Sequence, residues 1–480
     1  MIKIYFRTCI AFLILTLSSA QLYSQDKAQI IDDLIKKYYD YGQFNGSVLV
    51  SENGNVILSK GYGYAEMEWK IPNTPDTKFR LASISKQFTA MLIMQLIEKG
   101  ILDLNGKISD YLPYYRKDTG NKVTIRDLLS HSSGIHNYTD DPEVMKNTVR
   151  DPMQVKDLVI KLCSSDLEFE PGSKYSYSNS GYVILGAIIE EVTQKKYEDV
   201  LRENIFIPLN MTSSGYDHNS EIIEKRASGY DKSLKGFTHS NYINMSIPFS
   251  AGSLYSTVND MYLWDQALYK DILVSQETLQ KIFTPNLGDY GYGWHVSDVN
   301  VGNQKKNLIT HSGGIFGFNT IIMRYPEDKN CIVILNNFSN GNIRELGINI
   351  SAILYNQEYK NPRRSLTEEL FKTYREKGLE EAIAAFNEHK ENKEEYFVTE
   401  RELNNLGYNL LKNNKLDEAI EIFKLNVDMF PQSANVYDSL GEAYLKNGNK
   451  DLAIFYYMKS VELNPENESG KKVLSELQNE

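Results

Sequence analysis

Short apolar runs come first along the chain. Gly46-Ser47-Val48-Leu49-Val50 and Val56-Ile57-Leu58 flank Asn53-Gly54, a dipeptide that favours a primed two-residue turn, so the pattern predicts a β-hairpin. After Ser83 the period changes. Phe88, Met91, Leu92, Leu96 and Ile97 recur at helical spacing and Gly100 supplies a stop, which predicts a long helix with one apolar face. Helices and polar loops dominate between roughly Ile108 and Leu268. From Gly291 to Asn337 strand-like runs return, among them Ile321-Ile322-Met323 and Ile332-Val333-Ile334. A helix over Ile343 to Tyr355 and a break at Asn361-Pro362-Arg363-Arg364 close the region. The simplest architecture is α/β: an antiparallel sheet drawn from both ends of this region and flanked by helices, with an all-α insertion between the ends.

Beyond the break the pattern repeats. Gly407, Ala419, Phe423 and Pro431 recur as Gly441, Ala453, Tyr457 and Pro465, each pair 34 positions apart. A helix-turn-helix unit of that length, with small residues at the crossings and an aromatic in the second helix, resembles the tetratricopeptide repeat. A partial earlier unit at Gly378-Leu379-Glu380-Glu381-Ala382-Ile383 is out of register. The expected organisation is a signal peptide over 1–24, the α/β domain over 25–360, a helical linker or partial repeat over 361–402 and repeats over 403–478. The repeats read equally as an arm for a protein partner or self-association and as a stabilising appendage.

Composition narrows the class. With 480 residues, 41% hydrophobic and 24% charged, the chain is globular and long enough for more than one domain. Its net charge of −11 is concentrated at the C-terminal end, where Ser365 to Glu480 carries 14 Lys/Arg against 23 Asp/Glu. No basic patch is present, which argues against nucleic-acid binding. Lys3 and Arg7, the apolar run Cys9 to Leu15 and the small residues Ser18, Ser19 and Ala20 read as a secretory signal, cleaved after Ala20 or Ser24. An uncleaved anchor is the other reading of that run. The mature chain is therefore expected to be periplasmic or secreted, with no permanent membrane span. Cys163 and Cys331 would remain; one bridge is open to them, and a buried thiol suits Cys331 better.

Three elements carry candidate chemistry. In Ser83-Ile84-Ser85-Lys86 the hydroxyl lies where the helix begins and the amine one turn on, on the same face. A partly desolvated amine can lose its proton and make the serine a nucleophile. The plain alternative is an N-cap and a solvated lysine. Tyr175-Ser176-Tyr177-Ser178-Asn179 follows Phe169-Glu170-Pro171-Gly172 and reads as a loop, in which a tyrosine near a lysine could titrate low enough to shuttle protons and an amide could hold a substrate carbonyl. The plain alternative is a tyrosine corner with an Asx turn. His311-Ser312-Gly313-Gly314 lies on a strand edge where a substrate backbone could approach and a backbone N–H could complete an oxyanion hole. A glycine-rich bulge with an exposed histidine is the alternative there.

In this order and spacing the three elements resemble the serine penicillin-recognising hydrolases, and the Tyr-x-Asn form narrows the resemblance to the class C β-lactamase, DD-peptidase and β-lactamase-like esterase branch. Leu129-Ser130-His131-Ser132-Ser133-Gly134-Ile135, Pro208-Leu209-Asn210-Met211, Ala251-Gly252-Ser253-Leu254 and Gly291-Tyr292-Gly293-Trp294 extend it, so that it covers about Ile30 to Glu358. The resemblance implies Ser83 as acylated nucleophile, Lys86 as its base, and Tyr177 as the acid/base for the leaving group and the deacylating water. It further implies Asn179, His311 and Gly313 as substrate-binding residues and the backbone N–H groups of Ser83 and Gly314 as the oxyanion hole. It leaves open whether Lys86 or Tyr177 takes the first proton. It implies no metal or organic cofactor, and it makes His131 and His136 parts of a structural segment. Class C β-lactamases carry Lys where His311 stands, whereas some DD-peptidases and D-amino-acid peptidases carry His, whose charge near neutrality is conditional. The expectation is therefore a DD-carboxypeptidase-like hydrolase of D-Ala-D-Ala-type peptides. Its rivals, in falling order, are an esterase or D-amino-acid peptidase, a β-lactamase acting on a β-lactam, and a non-catalytic binding protein.

Overall fold

The computed structural model of the protein describes residues 26–479; the segment read as a signal peptide lies outside the described residues. The chain divides into two compact units, one ending at Asn361 and one running from Pro362. Cys163 and Cys331 are both buried and unpaired, each a small apolar filler of the first unit.

In the first unit a helix over residues 26–40, here α1, precedes strands β1 (Gly46–Glu52) and β2 (Asn55–Tyr62). Asn53 and Gly54 join them with φ of 52° and 75°, the left-handed pair that a primed turn requires. Helices α2 (Ser85–Glu98), α3 (Asn179–Thr193) and α4 (Val258–Ala267) follow, then strands β3 (His295–Val301), β4 (Gln304–Ile315), β5 (Phe318–Tyr325) and β6 (Asn330–Asn336), and helix α5 (Ile343–Leu354). The sheet order is β3-β4-β5-β6-β1-β2, with every neighbour antiparallel, so the first hairpin closes against the last strand.

Alternation along the strands splits the core between the two faces of the sheet. Val48, Val50, Ile332 and Ile334 pack with Ile31, Leu34 and Ile35 of α1 and Leu346 and Ile350 of α5. Their neighbours Leu49, Cys331, Val333 and Leu335 face the opposite way, toward α2, α3 and α4. Each such large aliphatic side chain contributes roughly 1.5–3 kcal/mol when fully buried.

Helix α2 differs from the expected one-faced helix, since every residue from Ser85 to Leu96 is buried. Its polar positions tolerate this because most of their polar atoms find a partner, the Gln87 amide nitrogen being the exception among the described residues. Ser85 accepts the Leu254 N–H at 3.1 Å, Gln87 accepts the Trp264 indole N–H at 2.9 Å, and Thr89 donates to the Ser250 carbonyl at 2.6 Å. The all-α reading of the insertion also missed a small hairpin, Tyr230–Ser233 with Gly236–His239, and a short strand Leu254–Ser256 that pairs with Phe79–Arg80.

The second unit is a series of helix pairs: Leu366–Lys377 with Leu379–His389, Glu400–Lys412 with Leu416–Met429, and Ala434–Lys446 with Lys450–Leu463, followed by Glu468–Asn479. The 34-residue recurrence has a steric cause. A Cβ on Gly407 would lie 2.5 Å from the Phe423 ring and one on Gly441 would lie 3.0 Å from the Tyr457 ring, so the aromatic of each second helix occupies the space over the glycine of the first.

Candidate active site

Ser83 lies in a single 3-10 turn, Ala82–Ile84, that feeds α2, and the helix takes no side-chain cap, so Ser83 is not an N-cap. Ala82 has φ of 50°, a left-handed conformation costing a non-glycine residue on the order of 1–3 kcal/mol. The sheet holds this turn. Thr320 on β5 donates its hydroxyl to the Leu81 carbonyl at 2.8 Å, and a Cβ on Gly313 of β4 would lie 2.1 Å from that same carbonyl oxygen. Gly313 is thus a glycine because the serine turn, rather than a substrate, approaches it. Gly314 has nothing within 4 Å of its Cβ position and lines the same cleft as Ser83.

Lys86 is wholly buried, with its Nζ 3.1 Å from Ser83 Oγ, 2.7 Å from Asn179 Oδ1 and 2.9 Å from the Ala251 carbonyl. Burial pushes its pKa well below the ordinary lysine value. The Asn179 and Ala251 oxygens can only accept. A neutral amine has two N–H groups for them and one lone pair left over, which points the third contact, Ser83 Oγ–H, into nitrogen. This is the arrangement a general base needs.

The Tyr177 ring lies 4.9 Å from Lys86 Nζ, and burial raises its phenol, against the effect of a hydrogen bond with Ser83. This departs from the expected low-titrating tyrosine. With burial raising its pKa above the ordinary tyrosine value, Tyr177 is a phenol and a proton donor across the neutral range. Asn179 opens α3. Its amide donates to Asn137 Oδ1 at 3.2 Å and Thr139 Oγ1 at 3.0 Å, which turns Oδ1 toward Lys86. Both amide N–H groups are engaged, so a substrate carbonyl would have to displace one of these partners.

His311 is buried on β4, whereas its neighbour Ser312 is exposed. Its Nδ1–H donates to the Ser312 carbonyl at 2.6 Å and its Nε2 accepts the Tyr290 hydroxyl at 3.0 Å. Burial drives its pKa down to about 3. The imidazole is therefore neutral at pH 7, with both nitrogens committed inside the protein, and supplies neither the charge nor the free donor expected of it. The ring centroids of His311 and Tyr177 are 6.3 Å apart.

The cleft over Ser83 encloses about 390 Å³. Its walls are largely apolar, with Tyr138, Met145, Val149, Ile243, Phe316 and Phe318 among them, and no lining residue is charged. Among the described residues no group of His, Cys, Asp and Glu is placed to hold a metal ion, and no helix is long and apolar enough to cross a membrane. Sequence reasoning missed Asn137, Thr139, Tyr290 and the Ala251 carbonyl as parts of this site. The Ala251-Gly252-Ser253 motif marked the last only as a match, and the other three carry no spacing that distinguishes them from ordinary polar residues.

Residues 31–354 match the beta-lactamase family, and residues 434–467 match the tetratricopeptide repeat. The chain is 32% identical to penicillin-binding protein 4* of Bacillus subtilis (strain 168) over 369 residues, 71% of this chain and 79% of that protein. The structure of a penicillin binding protein from Bacillus halodurans superposes with a TM-score of 0.59 at 27% identity, covering 67% of this chain and 97% of that one. A D-amino acid amidase from Ochrobactrum anthropi SV3, complexed with L-phenylalanine amide, gives 0.59 at 26% identity and covers 69% and 98%.

Proposed function

We propose, from the premise that the chain belongs to the beta-lactamase family of serine hydrolases, that it is an extracytoplasmic DD-carboxypeptidase-like enzyme cleaving D-Ala-D-Ala-type peptides through an acyl-enzyme on Ser83. The observation that carries this is the three-way contact of Lys86, whose one free valence faces Ser83. As Ser83 Oγ bonds the scissile carbonyl carbon, its proton passes to Lys86 Nζ. The carbonyl oxygen becomes an oxyanion held by the backbone N–H groups of Ser83 and Gly314. Tyr177 gives its proton to the leaving nitrogen as the C–N bond breaks, and the proton on Lys86 then restores the phenol. Water repeats the sequence on the ester and returns the proton to Ser83. In the same reading 25–360 is the hydrolase domain, 403–478 is a repeat arm for a protein partner or for self-association, and the N-terminal Lys3, Arg7 and apolar run are the export signal.

A second reading, an esterase or D-amino-acid amidase or peptidase using the same residues, is favoured by one observation: His311 is neutral and committed, so no cation awaits a terminal carboxylate. The D-amino acid amidase of similar fold supports it. The two readings separate on one pair of substrates, diacetyl-Lys-D-Ala-D-Ala and its C-terminal amide. A carboxypeptidase is expected to prefer the free acid by at least about tenfold in kcat/KM, the cost of leaving one charged contact unmade. Equal turnover of acid and amide establishes the second reading in its place.

A further inference from the structure

Of segment Leu129 to Asn137 only the Asn137 side chain enters the site described above, yet the segment runs beside the loop that carries Tyr177 and bonds to it repeatedly. The Gly134 carbonyl accepts Glu168 N–H, the Ser132 carbonyl accepts Gly172 N–H, and the His131 carbonyl accepts Ser176 N–H, each at 2.8 Å. Two residues on, the Ser178 N–H donates to the His131 ring at Nδ1, 3.1 Å away. Asn137 then takes the Asn179 N–H at 2.9 Å. His131 therefore bonds the residues on both sides of Tyr177, and its ring lies against the Tyr177 ring with centroids 4.2 Å apart.

The same residue carries two costs that stability alone does not explain. Its backbone is left-handed, with φ of 55°. Because Nδ1 accepts the Ser178 N–H, the ring proton sits on Nε2, and that atom is buried with no hydrogen-bond partner among the described residues. Such a group costs about 1–3 kcal/mol of desolvation. An apolar side chain would avoid that cost but could not accept the Ser178 N–H. Strain and an orphan polar group on one residue point to function. We infer that His131 is a positioning residue for Tyr177: its ring acceptor at Nδ1 and its backbone carbonyl fix the loop on either side of the phenol, so that the hydroxyl meets the leaving group when the proton is required.

The inference rests on Tyr177 being the proton donor, and the test keeps the two apart. In asparagine Oδ1 stands where Nδ1 stands in histidine, and asparagine tolerates the left-handed backbone, so His131→Asn keeps the acceptor and loses the ring. His131→Leu loses both. The probes are the p-nitroanilide and the p-nitrophenyl ester of N-acetyl-D-alanine, read as kcat/KM, which contains acylation only. The anilide leaves as an amine that must be protonated, whereas p-nitrophenolate leaves as a stable anion. Misplacing a catalytic group by about 1 Å costs on the order of 10²-fold, so His131→Leu is expected to lose about 10²-fold on the anilide and less than about threefold on the ester. His131→Asn is expected to recover to within about tenfold of the parent on the anilide. Equal losses on both substrates, an undiminished anilide rate, or an asparagine variant no better than leucine would overturn the positioning role. If the leucine variant does not fold, the asparagine variant decides alone, and a loss on the anilide beyond about tenfold counts against the proposal. Tyr177→Phe with full anilide activity would instead remove the reading beneath it.

Discussion

Lys86→Met is expected to lower kcat/KM by about 10²–10⁴-fold, the range a positioned general base contributes, while the enzyme remains folded. Methionine fills a similar volume and removes only the amine. The Asn179 Oδ1 and the Ala251 carbonyl each lose a donor, at about 1–3 kcal/mol apiece, a tolerable loss for a domain of this size. Lys86→Arg is expected not to rescue, because a guanidinium stays charged and has no lone pair for the serine proton. The pH profile follows from the same two groups. The Lys86 pKa is depressed, so its reactive neutral form is lost only as pH falls through that lowered value, and kcat/KM declines toward acid. The Tyr177 pKa is raised above 10, so its phenol survives to high pH and no alkaline decline is expected below about pH 10. Profiles of kcat/KM from pH 5 to 10 for the parent and the Lys86 variants check both limbs. A Lys86→Met enzyme of full activity would leave the serine without its base.

Asp265→Ala is expected to destabilise the first unit by about 3–5 kcal/mol, the cost of leaving one charge of a buried pair without its partner. Asp265 on α4 is 0% exposed, and its Oδ1 lies 2.5 Å from Nε of Arg324 on β5, itself 1% exposed. The guanidinium is enclosed by the rings of Tyr269, Phe283 and Trp294, at 5.0, 5.4 and 5.5 Å. No water reaches the charge that remains. At roughly 2–4 °C per kcal/mol the melting temperature falls by about 10 °C. Asp298→Ala is the control. It breaks a pair with Lys305 at 2.8 Å in which both side chains are more than half exposed, and such a pair contributes about 1 kcal/mol or less. Replacing Asp265 and Arg324 together with apolar residues is expected to recover most of the loss, since the penalty belongs to the orphaned charge. Thermal unfolding of the three variants measures this, and equal shifts for Asp265→Ala and Asp298→Ala would refute it.

The sheet was legible because its signals are local. The Asn53-Gly54 turn and the β-branched apolar run Ile332-Val333-Ile334 point to strands whatever lies elsewhere in the chain. Helix α2 was legible as a helix but not in its surroundings, because Ser85, Gln87 and Thr89 look solvent-facing until Leu254, Trp264 and Ser250 pack over them and bond to them. The same distinction holds at the site. Ser83 and Lys86 are bound by helical spacing, and the structure places them within hydrogen-bond distance. The Ala251 acceptor is a backbone carbonyl, which no side-chain pattern announces. The cleft walls come from distant segments, Tyr138, Ile243 and Phe316, and none differs in sequence from a core residue. His311 was legible as present but not as neutral, since its pKa depends on burial and on the nearby Lys86 and His295, none of which a motif encodes.

The central claim, an acyl-enzyme on Ser83, is tested most directly by the intact mass of the protein quenched at short times after mixing with benzylpenicillin, with Ser83→Ala alongside. The parent is expected to gain the mass of one drug molecule, by opening of the lactam ring onto Oγ, and Ser83→Ala is expected to gain nothing. An adduct of equal mass and yield on Ser83→Ala would contradict the assignment of the nucleophile and with it the account built on Lys86 and Tyr177.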